Sequence, residues 1–221
     1  MTKKRIATMA TCIALVGAVA VGGTLALLTS QSDKVTNTFT VGQGYQPGDF
    51  YIDENQVKRD TGASNFGGYI EDGAIRVEAI NYEDLVAGTT LAKDPTLHVK
   101  QGSTESWVVA KISGLTANAG KLSLEGTISG WYEVKDGELA EVTNAADLKD
   151  DTMYIYKETL GGADGAIDST PLFETVRVAS TVAQGATFTN IEVTGVAVEA
   201  VKGASLQEAY ASVLAAADAV I

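Results

Sequence analysis

The chain has 221 residues, enough for one sizeable domain with its own core, and its 23 glycines, 3 prolines and 7% aromatic content suit a globular chain, not a low-complexity one. The formal net charge is −12, and Lys3, Lys4 and Arg5 are the only charges before Asp33, so the remainder is more acidic still. Such a body repels phosphate backbones and anionic lipid, which argues against nucleic-acid binding, and the one cysteine, Cys12, leaves everything beyond it without a disulfide, a thiolate nucleophile or a thiolate metal ligand.

Lys3-Lys4-Arg5 forms a basic opening, followed by the apolar run IALVGAVAV at residues 13–21 and then Gly22-Gly23. That run is shorter than the roughly 20 apolar residues a membrane span needs. A basic region, a short apolar region and small residues at a cut site describe a secretory signal peptide. Two cut sites compete, after Ala20 in Ala18-Val19-Ala20 and after Ala26 in Thr24-Leu25-Ala26. An uncleaved anchor over residues 6–28 is the alternative. Cys12 stands before the main apolar run, the reverse of a lipoprotein signal, and reads as an apolar filler.

The body from residue 35 onward reads as β. In VTNTFTV, residues 35–41, strand alternation places Val35, Asn37, Phe39 and Val41 on one side and three threonines on the other. Runs rich in Val, Ile, Thr and aromatic residues follow at 50–57, 74–80, 96–100, 106–112, 121–128, 131–135, 152–157, 172–179 and 188–200. Asp72-Gly73 and Asp136-Gly137 each lie between strand-like runs, and this pair tolerates the positive φ of a tight hairpin. Residues 61–68 and 161–169 are Gly-rich and read as loops. At the end the period changes: Ser205 with Glu208 three residues later is a capping-box pattern, and Leu206, Tyr210, Val213, Leu214 and Ala217 recur at helical spacing through 205–219. Many strands followed by one helix predict an all-β fold, a jelly-roll-like β-sandwich with a C-terminal helix, preceded by a signal-peptide helix over 1–26; residues 27–221 form one domain.

Chemistry is sparse. His98 is the one histidine, too few for a zinc site or an H-E-x-x-H helix, and no Gly-x-Ser-x-Gly elbow surrounds a serine. His98 reads as a strand residue whose neighbours Leu97 and Val99 point inward. The aspartates at 150–151 and between 164 and 168 lack EF-hand spacing and read as solvated loops. Trp107 and Trp131 lie in strands and read as core. No catalytic residue, metal ligand or cofactor emerges, so the chain reads as a structural or adhesive module and not as an enzyme.

The stretch GGTLALLTSQSDKVTNTFTVG, residues 22–42, resembles the N-terminal signature of the TasA/camelysin family, exported by Gram-positive bacteria through a SipW-type signal peptidase. Residues 85–112, 131–137 and 191–213 are similar to its clostridial-type central block, a later hairpin, and the closing strand and helix. The resemblance implies a jelly roll, secretion to the extracellular matrix or cell surface, and cleavage between Ala26 and Leu27. It implies a homo-oligomeric biofilm-matrix fibre in which residues 27–41 donate a strand to the neighbouring subunit, with Val35, Phe39 and Val41 filling its pockets. Other matrix proteins are further partners that it suggests, and stable membrane insertion after cleavage is not expected. Two departures stand out: Ala87-Gly88 replaces a Pro-Gly, and residues 44–68 match less well. Camelysin's metalloprotease activity is a second reading, with His98 the one residue to carry it; a monomeric membrane-anchored adhesin is a third.

Overall fold

The computed structural model describes residues 29–31, as backbone, together with 45–59, 67–82 and 84–221. The strands in chain order are β1 (Thr29–Gln31), β2 (Phe50–Asn55), β3 (Val57–Arg59), β4 (Gly68–Ile70), β5 (Arg76–Val77), β6 (Thr90–Ala92), β7 (Thr96–Val99), β8 (Ser106–Ser113), β9 (Leu122–Glu125), β10 (Thr127–Lys135), β11 (Glu138–Asn144), β12 (Met153–Tyr156), β13 (Thr175–Val178) and β14 (Glu192–Glu199). A helix, α1 (Leu206–Asp218), closes the chain. The strands build three sheets: six strands in the order β1-β14-β8-β12-β10-β11, five in the order β3-β4-β6-β13-β9, and three in the order β5-β2-β7. The fold is therefore mostly β, sandwich-like, with the helix at its C-terminal end. Among the described residues no helix is long and apolar enough to cross a membrane.

Two cores hang on the six-stranded sheet. β8 reads as a continuous apolar run because both of its faces are covered. Val108, Ala110 and Ile112 face the smaller sheets, where they join Phe50, Leu97, Val99, Trp131, Tyr154, Phe173 and Val176. Trp107 and Val109 face the other way, with Ile155, Val196 and Val198, against Ala209, Val213, Ala216 and Ala217 of the helix. The helix begins where the sequence places it: Glu208 accepts from the Ser205 N–H at 2.9 Å and from its hydroxyl at 2.7 Å. Both tryptophans are buried, and Trp131 donates its indole N–H to the Thr170 carbonyl at 3.1 Å.

Asp136-Gly137 makes the expected hairpin. Lys135 stands opposite Glu138, and both turn residues have positive φ, 55° and 85°, as a two-residue turn of this hand requires. Asp72-Gly73 corrects the other expectation. The chain does turn there, with the Ala74 N–H bonding to the Glu71 carbonyl at 3.0 Å and Gly73 at φ 74°. The strands on either side part, however: β4 pairs with β3 and β6, whereas β5 pairs with β2. An Asp-Gly pair fixes local backbone shape but not the destination of the strand that leaves it. Where the expected run 74–80 stood, only Arg76–Val77 is strand.

Candidate functional site: the β14 edge and the adjoining cleft

β14 lies one strand in from the border of the six-stranded sheet. On its inner side it pairs with β8 over all eight residues, Glu192 to Glu199. On its outer side, among the described residues, it pairs antiparallel with β1 at Thr29–Val198, Ser30–Ala197 and Gln31–Val196. Among the described residues, the outer backbone groups from Glu192 to Gly195 therefore have no ladder partner. Gly195 leaves room for the side chains packed over it: a Cβ there would lie 2.7 Å from Ile52 Cδ1 and 3.0 Å from Phe50 Cζ, so these side chains reach the β14 backbone itself.

The Glu192–Thr194 end of β14 borders a cleft of about 1050 Å³. Ile52, Leu91, Phe173, Val176, Ile191 and Val193 give it an apolar lining, and residues 78–82 with Leu85 form a wall. Inside it Lys93 Nζ lies 2.6 Å from both Glu54 carboxylate oxygens and 5.0 Å from the centre of the Tyr82 ring. Burial raises the Glu54 carboxyl above its ordinary value despite the Lys93 ammonium beside it. The Tyr82 hydroxyl is raised as well, first by burial and then by the Glu54 charge. That hydroxyl is buried with no hydrogen-bond partner.

A second cluster sits on the outer face of the three-stranded sheet. Leu97 and Val99 point inward and are fully buried, as the sequence reading has it, and His98 between them points outward. Its ring stacks on Tyr51 at 4.6 Å, and each ring nitrogen meets a carboxylate: Nδ1 to Asp168 at 2.6 Å and Nε2 to Asp53 at 2.8 Å. Arg76 pairs with Asp53 and, at 3.1 Å, with Asp94, which also accepts from the Asn55 amide at 2.7 Å. The network ties β2, β5, β7 and the loop carrying Asp168 into one unit. It leaves neither ring nitrogen of His98 open to a metal. Among the described residues no group of three or more His, Cys, Asp or Glu side chains is arranged to hold one.

Of the residues singled out in the sequence, Ala26, Leu27, Val35, Phe39 and Val41 lie outside the described residues; from the stretch 27–41 only β1 is described, on the β14 edge. Asp150, read as part of a solvated loop, has a structural role. It accepts the Leu115 and Thr116 N–H groups at 2.7 Å each; burial acts to raise its carboxyl, and the bonds from Thr116 and Leu115 outweigh that and lower it. The cleft and the His98 network were not anticipated. The alternation of Tyr51, Asp53 and Asn55 along β2 is the one local signal that its outer face is polar. No family model, no curated protein and no solved structure matches this chain.

Proposed function

We propose that the chain is an exported structural subunit of extracellular, biofilm-matrix-type fibres, a jelly-roll-like sandwich that assembles by exchange of its N-terminal strand between subunits. One observation carries this reading: among the described residues, the strand on the outer side of β14 is β1, which comes from the N-terminal stretch. A strand at a sheet border is the kind that can leave its own edge and pair with another, because main-chain hydrogen bonds are the same in either setting. The transfer is head-to-tail, so it propagates into an open filament instead of closing. Cleavage between Ala26 and Leu27 by a SipW-type signal peptidase would free the segment, with Val35, Phe39 and Val41 as its apolar side. Cleavage would then be the trigger for assembly as well as a step in export.

Disulfide trapping tests the proposal, since the chain beyond Cys12 is free of cysteine. Thr29 and Val198 are direct partners across the ladder, and directly paired strand positions lie within disulfide reach. The mature Thr29→Cys, Val198→Cys chain, oxidised under assembly conditions, is expected to give a ladder of reducible multimers and filaments by electron microscopy. An exclusively intramolecular disulfide with no filaments would overturn the reading. N-terminal sequencing of the extracellular material, expected to begin at Leu27, tests the export step separately.

A further inference from the structure

Lys93 and Glu54 meet across two sheets. Lys93 follows β6 of the five-stranded sheet, and Glu54 stands on β2 of the three-stranded one. Their side chains are 16% and 9% exposed, so both charges are largely withdrawn from water. An ion pair in that setting gives up hydration that its mutual attraction repays only in part. Burial raises the Glu54 carboxyl, which brings the neutral acid closer in free energy to the carboxylate. The contact is also tighter at carbon than a single hydrogen bond requires. Lys93 Nζ lies 2.6 Å from Oε1 and 2.6 Å from Oε2, midway between the two oxygens. With ordinary carboxyl bond lengths, Nζ is then about 3 Å or less from Cδ, the separation of a near-attack pair. The last glutamate torsion is soft, so the carboxyl can turn its face to Nζ without moving either strand. Behind Nζ stands the Tyr82 ring, 5.0 Å away.

We infer that Lys93 and Glu54 condense to a side-chain amide, a covalent bond between the two sheets. A proton passes from the ammonium to one carboxylate oxygen, and Nζ attacks Cδ. The bond from Cδ to the protonated oxygen breaks, and that oxygen leaves as water with a second proton from Nζ. No oxidant, reductant or further reactant enters. Condensation is unfavourable between free ions in water, but a held pair acts at an effective concentration of about 10⁵–10⁸ M. The product also leaves no charge to be kept out of water. The pair starts out charged, so the step is slow: freshly folded chain carries the free Glu54 carboxyl and its dependence on pH, and the amide accumulates on standing. The inference does not depend on the fibre reading, because the bond lies within one subunit.

Intact-mass spectrometry of the folded mature chain, followed over time, is the test. A species one water lighter than the sequence mass is expected to grow to completion, and digestion to yield a branched peptide joining Lys93 to Glu54. Lys93→Arg keeps the charge pair without the amine, and Glu54→Ala removes the carboxyl; the chain with either change is expected to hold its full sequence mass. The arginine variant, checked by circular dichroism, keeps the comparison valid if the alanine variant does not fold. An unchanged mass in the folded wild-type chain after prolonged incubation would overturn the inference. So would a water loss that persists in Lys93→Arg, or one that maps to a succinimide at Asp72-Gly73 or Asp136-Gly137. Loss of one ammonia in place of water would overturn it too, since it would mark a side-chain amide as the acceptor. A fibre-forming chain without the bond, or a non-fibrous one with it, separates this inference from the proposed function.

Discussion

The six-stranded sheet and the three-stranded sheet face each other across the same core, yet different forces hold them. The larger sheet is apolar on both faces: β8 alone contributes Val108, Ala110 and Ile112 to one core and Trp107 and Val109 to the other. The smaller sheet is apolar only on its inner face, through Phe50, Leu97 and Val99. Its outer face is bound by a hydrogen-bonded network running from Asp168 through His98, Asp53 and Arg76 to Asp94. Apolar burial is non-directional and is not weakened by charge screening or by modest pH changes. A hydrogen-bonded charge network depends on geometry, protonation and screening. The molecule should therefore have a robust half and a conditional half, and the conditional half is the one that forms one side of the cleft.

The largest expected effect falls on the robust half. Trp131→Ala removes a fully buried indole, its contact with Tyr156 and its bond to Thr170, and should cost about 3–5 kcal/mol in denaturant unfolding at any salt concentration. A clearly smaller loss would mean that the six-stranded sheet is less tightly packed than its burial implies. Asp53→Asn comes next. It removes the charge shared by His98 and Arg76 and should cost roughly 1–3 kcal/mol. Unlike the Trp131 change, its cost should shrink as salt screens the network; identical salt curves for the two variants would erase the distinction between the halves. Gly195→Ala probes where the halves touch. Its new methyl meets the far ends of Ile52, Phe50 and Leu97, which can give somewhat, so a loss of about 1 kcal/mol is expected from the melting curve.

The smallest effect is a change of slope with pH. Burial raises the Glu54 carboxyl above its ordinary 4.5, so the folded chain holds that proton more tightly than the unfolded chain does. The stability this group contributes is present below that pH and is lost as pH rises through the folded value. Asp150 works in the opposite sense: its carboxyl is lowered by the bonds from Thr116 and Leu115, so its contribution is present above the ordinary value of 3.8 and is lost as pH falls through the folded value. Measured as stability against pH in the acid range, Glu54→Gln should remove a downward slope and Asp150→Asn an upward one. Slopes of the same sign in both variants would contradict the assignment.

Much of the local architecture was legible because its causes are local. Leu97 and Val99 inward with His98 outward follows from strand alternation; the helix start follows from Ser205 and Glu208; the β10–β11 turn follows from Asp136-Gly137. The Asp72-Gly73 hairpin failed because its two flanks are short and find partners elsewhere, β4 beside β6 and β5 beside β2. The short strand β6 was passed over for the same reason. Three residues carry too little periodicity to be read without the sheet that receives them. The partners of His98 were invisible in the sequence, since Asp53 and Asp168 are distant along the chain on opposite sides of it.

Taken alone, then, the sequence determined the class of fold, the burial of both tryptophans, the last helix and one hairpin, since each depends on side-chain period or on the conformational freedom of one or two residues. It also supplied the expectation of export and strand donation, carried by residues 22–42. Tertiary structure alone decided which strands share a sheet, that the chain's one histidine is locked between two carboxylates, that β1 lies on the outer side of β14, and that a cleft opens beside β14. The reason is physical: alternation and turn chemistry act between neighbours in sequence, whereas pairing, charge networks and cavities are set by loop closure and packing between residues far apart along the chain.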